Sequence, residues 1–197
     1  MPHQNRVDPL GQFHAVPQRG MWFGNRGCLH DAGGVIRRSH QVRRWITCVT
    51  DFKGRKRELL QPGRYTELFF LDEATAYAAG HRPCAECRRA DWLRFRALWE
   101  GEYGERRVDD IDARLDAARR HGRERRLVEV ARESVPQGAM ILHEGAPVLR
   151  AGAGWWRWSF DGYTHAPTPG PRVSLLTPVP LARLMTLGLP VQVALSE

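Results

Sequence analysis

The chain has 197 residues, 42% of them apolar, which is enough for one compact body with a sizeable core. It holds no apolar run of about 18 residues or more, and its first stretch, MPHQNRVDPLGQFHAVPQRG, lacks the apolar segment of a signal peptide, so a cytoplasmic protein without membrane contact is expected. The net charge of +8 comes from 30 Lys plus Arg against 22 Asp plus Glu, with Lys53 and Lys56 the only lysines; such a surface attracts polyanions, although an arginine-rich genome produces the same bias without one.

Residues 1–20 contain three prolines and two glycines and show no periodicity, which predicts a flexible arm. Met21-Trp22-Phe23 is the first apolar anchor of a lobe expected over 21–104. A turn-rich segment follows, in which Cys28 and His30 stand two apart. On an extended segment both face one side, so either can reach a metal. Residues 41–52 read as a strand with Val42, Arg44, Ile46, Cys48 and Thr50 on one face. Lys53, Gly54, Arg55 and Lys56 form a hairpin-type turn with three cations. Strands are expected at 57–60 and 65–71, giving a small antiparallel sheet.

A short helix is expected over 72–79, stopped by Gly80. The knuckle Arg82-Pro83-Cys84-Ala85-Glu86-Cys87 follows, and a second helix starts near Arg89. Trp92, Leu93, Phe95, Leu98 and Trp99 give that helix its apolar side. Residues 105–135 are highly charged and read as a helical connector, broken at His121-Gly122. Its Arg119, Arg120, Arg123, Arg125 and Arg126 read as a solvated face. A smaller α/β lobe is expected over 136–197. It has strands near 139–143, 147–150, 155–160 and 173–176, a helix over 178–187 and a last strand at 191–195. Trp156, Trp158 and Phe160 share one face of the third of these, either as core or as a platform for unpaired bases. The fold class is α+β.

Reduced cytoplasmic thiols argue for metal or redox chemistry over disulfides. Zinc takes four ligands at tetrahedral corners, commonly two pairs from separate parts of the chain. Cys84 and Cys87 make one pair on a turn that opens a helix. Cys28 and Cys48 complete a four-thiolate set, with His30 the rival for one corner. A redox CxxC follows a strand, whereas this one follows a helix; cysteines serving as small hydrophobes are the remaining reading. No Gly-rich phosphate loop, HExxH or GxSxG is present, which leaves common nucleotide-binding and hydrolase chemistries without support.

Phe70 and the run DEATAYAAGHRPCAECR over 72–88 resemble the metal-binding amino-terminal domain of the Ada DNA-repair proteins, and the whole chain is similar to a group of bacterial proteins of unassigned function that share the knuckle. The resemblance implies a small α+β domain with a four-cysteine Zn2+ site that contacts DNA backbone. It also implies a zinc thiolate that takes a methyl group from a phosphotriester, a role for which Cys28 or Cys48 stands here. The family's close upstream Cys-x-x-x-Cys pair is missing from this chain. Arg43, Arg44, Lys53, Arg55, Lys56 and Arg88 all fall in the zinc half and are the candidate phosphate contacts. The expected function is a zinc-binding protein that contacts DNA in recognising or repairing alkylation damage. Alternatives are a suicidal methyl acceptor and a protein-interaction module with structural zinc.

Overall fold

A computed structural model describes residues 1–54, 58–122 and 124–195. The fold is mixed α+β. Among the described residues there are two six-stranded sheets, a two-stranded ribbon and four α-helices.

The first sheet is built from β1 (Arg6–Val7), β2 (Phe13–His14), β3 (Trp22–Asn25), β4 (Ile46–Val49) and β5 (Leu68–Phe70), followed by helix α1 (Glu73–Ala78) and β6 (Arg82–Pro83). Its order is β2-β1-β5-β3-β4-β6. Strand β3 pairs antiparallel with both β4 and β5, while β1 joins β5 and β6 joins β4 in parallel, and β2 pairs antiparallel with β1 at the edge. The flexible arm expected over 1–20 is therefore corrected. Val7 is fully buried, Phe69 donates its N–H to Asn5 at 2.9 Å, and the Arg6 guanidinium lies 4.8 Å over the Phe69 ring. Two-residue strands leave no alternation for a sequence to display. The strand expected at 57–60 is absent from the sheet as far as it is described: residues 59–60 lie in a turn, Glu58 is in no strand, and Arg57 lies outside the described residues.

Helix α1 is held at its start by Asp72, whose carboxylate accepts from Thr75 N at 2.8 Å and from its hydroxyl at 2.7 Å. All six of its residues are buried. Ala76 and Ala79 pack with Leu68 and Phe70 of the first sheet; Ala74 and Ala78 pack with Met140, Leu149 and Leu176 of the second. Alanine suits that place because a larger side chain would push the sheets apart. Gly80 ends the helix at φ 93°, where a Cβ would meet the Arg119 side chain at 2.8 Å.

Helix α2 (Arg89–Tyr103) ends at Gly104 in the left-handed conformation, and α3 (Val108–Arg119) follows. The charged stretch expected to stay helical then turns into strands. The ribbon β7 (Arg120–His121) and β8 (Glu124–Arg125) leads to β9 (Val128–Ala131) and a 3-10 turn, Arg132–Ser134. Strand β9 is an edge of the second sheet, with Val128 and Val130 half-buried and Glu129 and Ala131 exposed. The connector reading of 105–135 is thus replaced: Ile111 and Leu115 of α3 belong to the main core.

The second sheet adds β10 (Met140–His143), β11 (Ala146–Ala151), β12 (Gly154–Ser159), β13 (Gly162–Ala166) and β14 (Arg172–Leu175), with α4 (Val179–Thr186) after it. Its order is β13-β12-β11-β10-β14-β9, antiparallel throughout. The sheet takes in β9 from before residue 136, and its core takes in α2 and α3, so residues 136–197, expected as a smaller α/β lobe, pack as one body with the preceding helices. Glu144 and Gly145 both take positive φ, the conformation of the tight turn that joins β10 to β11. Ile141, Val148, Trp155, Val173 and Leu175 pack against α2, α3 and α4. Residues 191–195 form no strand; they bind the start of α1, where Glu73 accepts from Gln192 N and Asp72 from Ala194 N, each at 3.0 Å. Trp158 donates to the Thr75 hydroxyl at 2.9 Å and Tyr163 to Asp72 at 2.7 Å, so this aromatic strand serves as core.

Candidate metal centre

Cys48 sits in β4, on the face that the register shares with Phe23, Asn25, Ile46 and Phe69. Strand β6 runs parallel to β4, and Cys84 donates its N–H to Thr47 O at 2.9 Å, which draws the knuckle alongside Cys48. Pro83 is tolerated because β6 is an edge strand. Arg88 N then bonds Cys84 O at 3.2 Å and α2 begins. The result is three sulfurs, of Cys48, Cys84 and Cys87, all within 4.8 Å of one another and able to hold a metal ion.

Cys28 is the expected ligand that the fold does not bring in. Asn25 already pairs with Ile46 at the start of β4, so the chain at Cys28 has run past the strand that carries Cys48. Its sulfur lies 3.7 Å from His30 O. His30, the rival ligand, is buried in its own loop, with Nδ1 2.6 Å from the Thr66 hydroxyl and Nε2 3.2 Å from Gln61 O. Among the described residues the cluster has three donors.

The three thiols are not equivalent. The Cys84 thiol is lowered to about 5 by a hydrogen bond from Cys48, helped by the N–H groups of Cys87 and Glu86 and opposed by burial. Cys48 is pushed up because it donates to Cys84, with burial adding to the effect, and Cys87 is raised by burial and by the Cys84 charge. The three thiols therefore titrate as one interacting set, with the hydrogen bonds to Cys84 favouring its thiolate. A cavity of about 290 Å³ adjoins the sulfurs, lined by Phe23, Phe52, Tyr65, Phe69, Glu67 and Glu86.

The candidate phosphate contacts divide. Arg43, Arg44 and Lys53 are exposed, with Arg43 Nε 3.9 Å from Asp116 and Lys53 Nζ 5.2 Å from the Phe52 ring. Arg55 and Lys56 lie outside the described residues. Arg88 is corrected: it is buried, paired with Glu73 and with Asp91 at 2.9 Å, and stacked 4.0 Å over Trp22. It ties α2 to α1 and presents nothing to a polyanion.

Sequence reasoning missed a cluster of polar side chains inside the protein. Arg26, His81 and Arg119 are all buried, next to Trp45. One signal was available: Ile111, Leu115 and Arg119 recur every four residues, so Arg119 continues the apolar stripe of α3.

No protein-family profile, no curated protein and no solved structure matches this chain. Among the described residues no helix is long and apolar enough to cross a membrane.

Proposed function

We propose that Cys48, Cys84 and Cys87 hold one zinc ion, and that the protein contacts DNA in recognising or repairing alkylation damage. The observation that carries the metal is the meeting of three sulfurs within 4.8 Å on the wall of a cavity. Soft thiolates in that number select zinc among the abundant divalent cations. Three protein ligands leave one tetrahedral position, and an open position belongs to reactive zinc sites more than to structural ones. Bound zinc would keep the thiols deprotonated at neutral pH. For DNA, support comes from the net charge of +8 and from Arg43 and Arg44 before β4 and Lys53 after it, which flank the strand carrying Cys48.

Elemental analysis of freshly reduced protein tests the metal: one zinc per chain, lost in Cys84→Ser, is expected, and metal-free wild type would sink the reading. The DNA contact is tested by titrating duplex DNA at several salt concentrations. Arg43→Ala with Arg44→Ala should weaken binding and flatten its salt dependence.

A methyl-acceptor activity is favoured by one further observation, the aromatic lining of the cavity beside the sulfurs, which suits an alkyl group. In that reaction the sulfur attacks a methyl carbon of a phosphotriester. One S–C bond forms, one C–O bond breaks, and the phosphodiester leaves with the electron pair. Of the two acceptors expected, Cys48 lies in the cluster and Cys28 does not. Intact mass should rise by one methyl after incubation with methylated DNA, with the modified peptide containing Cys48. Zinc binding with neither a mass change nor a DNA shift would favour an interaction module instead.

A further inference from the structure

We propose that a second cavity, away from the cysteines, binds a small phosphate-type oxyanion. It measures about 440 Å³, and its wall includes Arg26, Arg119 and Arg125 together with Phe13 and Trp45. The three arginines come from far apart in the chain: just after β3, the last residue of α3, and β8. Arg26 and Arg119 are each 1% exposed, and their guanidinium carbons lie 4.1 and 3.8 Å from the centre of the Trp45 ring. A fold does not gather like charges in its interior without something to offset them.

The protein offsets them only in part. Arg119 bonds Gly80 O at 3.1 Å and Asp116 at 3.0 Å, but Asp116 also serves Arg120 at 2.6 Å. Arg26 bonds Gly11 O at 3.0 Å and His81 at 3.2 Å. Arg125 bonds Ala78 O and, at 2.6 Å, Leu176 O. Asp8, whose charge bears on Arg26, spends its carboxylate on His14 and on Gln12 N, each at 2.8 Å, and Glu124, exposed on the cavity wall, forms no ion pair with the three arginines. Among the described residues neither Arg26 nor Arg125 has an ion-pair partner. Each of the three keeps a buried N–H without an acceptor: Nη2 of Arg26, Nε of Arg119 and Nε of Arg125. Native proteins leave few such groups, because each costs about 1–3 kcal/mol or more when charged. Burial lowers all three arginines, Arg119 to about 10, Arg125 to about 9 and Arg26 well below its ordinary value, with Arg119 and Arg125 adding to the effect on Arg26.

A tetrahedral oxyanion supplies what is missing: negative charge, and several acceptor oxygens for N–H groups arriving from different directions. The depth of Arg26 favours a small ligand over a polymer backbone. The volume exceeds what an inorganic phosphate needs, so a phosphate on a small organic group also fits. The site is separate from the cysteine cavity in that the two share no lining residue.

Calorimetric titration and thermal melting with inorganic phosphate, a small phosphomonoester and chloride at matched ionic strength test this. One phosphate per chain and a raised melting temperature that chloride does not reproduce are expected. A tighter monoester identifies an organic phosphate as the ligand, and equal affinity identifies the free ion. Arg26→Gln should weaken binding at least tenfold. If that variant fails to fold, Ser39→Glu serves, because Ser39 is exposed on the cavity wall and a carboxylate there fills the anion's role. Ser39→Glu should melt higher than wild type without phosphate, lose the response to phosphate and keep its zinc. Absence of a phosphate-specific effect in wild type, an undiminished effect in Ser39→Glu, or a response to duplex DNA alone would overturn the proposal.

Discussion

Nε of Arg26 donates a hydrogen bond to Nε2 of His81 at 3.2 Å in the interior of the protein. An accepting Nε2 requires a neutral ring with its proton on Nδ1. The Trp45 and Phe70 rings sit 5.3 and 4.6 Å away, and burial, followed by the charges of Arg26 and Arg119, pushes the imidazole well below its ordinary value.

That relationship fixes a pH dependence. An unfolded His81 titrates near 6.5, while the folded one stays neutral to lower pH. Between the two values the unfolded chain binds the extra proton, so acid favours unfolding. The contribution is fully present above about pH 6.5 and falls by about 1.4 kcal/mol per pH unit below it, until the folded group titrates. Urea unfolding from about pH 7.5 to about pH 5.5 should show this slope, and His81→Gln should flatten it. Equal slopes in the two proteins would rule the mechanism out.

Arg82 and Asp112 form a two-pronged ion pair at 2.7 and 2.8 Å, both nearly inaccessible, with Arg82 stacked 4.6 Å over Trp92. Removing one partner strands a buried charge. Asp112→Ala should cost about 3–5 kcal/mol, read from the shift of the urea midpoint. Replacing both members by apolar residues of similar volume should cost far less. A small loss in Asp112→Ala would mean that water reaches Arg82.

The cysteines should separate by position. Cys48→Ser, Cys84→Ser and Cys87→Ser are each expected to abolish stoichiometric zinc, whereas Cys28→Ser keeps it. Retention in Cys48→Ser together with loss in Cys28→Ser would show that the metal recruits a different set of ligands from the one the fold assembles.

Asp72 serves three partners at once: the first turn of α1, the Tyr163 hydroxyl and the N–H of Ala194. Asp72→Ala should destabilise by about 3 kcal/mol, from the lost cap plus donors left without acceptors. Asp72→Asn keeps one acceptor oxygen and should lose less. The comparison is read from chemical unfolding with Trp fluorescence.

Much of the centre was legible because it is local. Asp72 and Gly80 bound a helix by simple capping chemistry, and the Cys84–Cys87 spacing brings two thiols together on its own. The alternation that placed Cys48 and Ile46 on one face also holds. What was not legible depends on the whole fold. Cys28 has the same residue type as the clustered ligands and precedes Cys48 by 20 residues, yet antiparallel pairing carries it past the end of the strand. Arg88, Arg119 and Arg125 look like surface charge until their partners from other segments are known. The strands near Arg6 and Phe13 are too short to show a period, and β9 hides its two valines in a run of charge.

The segment 192–195 closes over the first residues of α1, so the scaffold around the knuckle is completed by residues about 120 positions further along the chain. When Cys87 has been synthesised, Cys28, Cys48 and Cys84 already exist, but the alanines of α1 still lack the second sheet they pack against. The thiols therefore emerge early and wait in an unfinished setting. The helix that precedes the knuckle is packed on both sides only once the second sheet exists, and a shortened gene ending before β10 yields the clustered cysteines without that support.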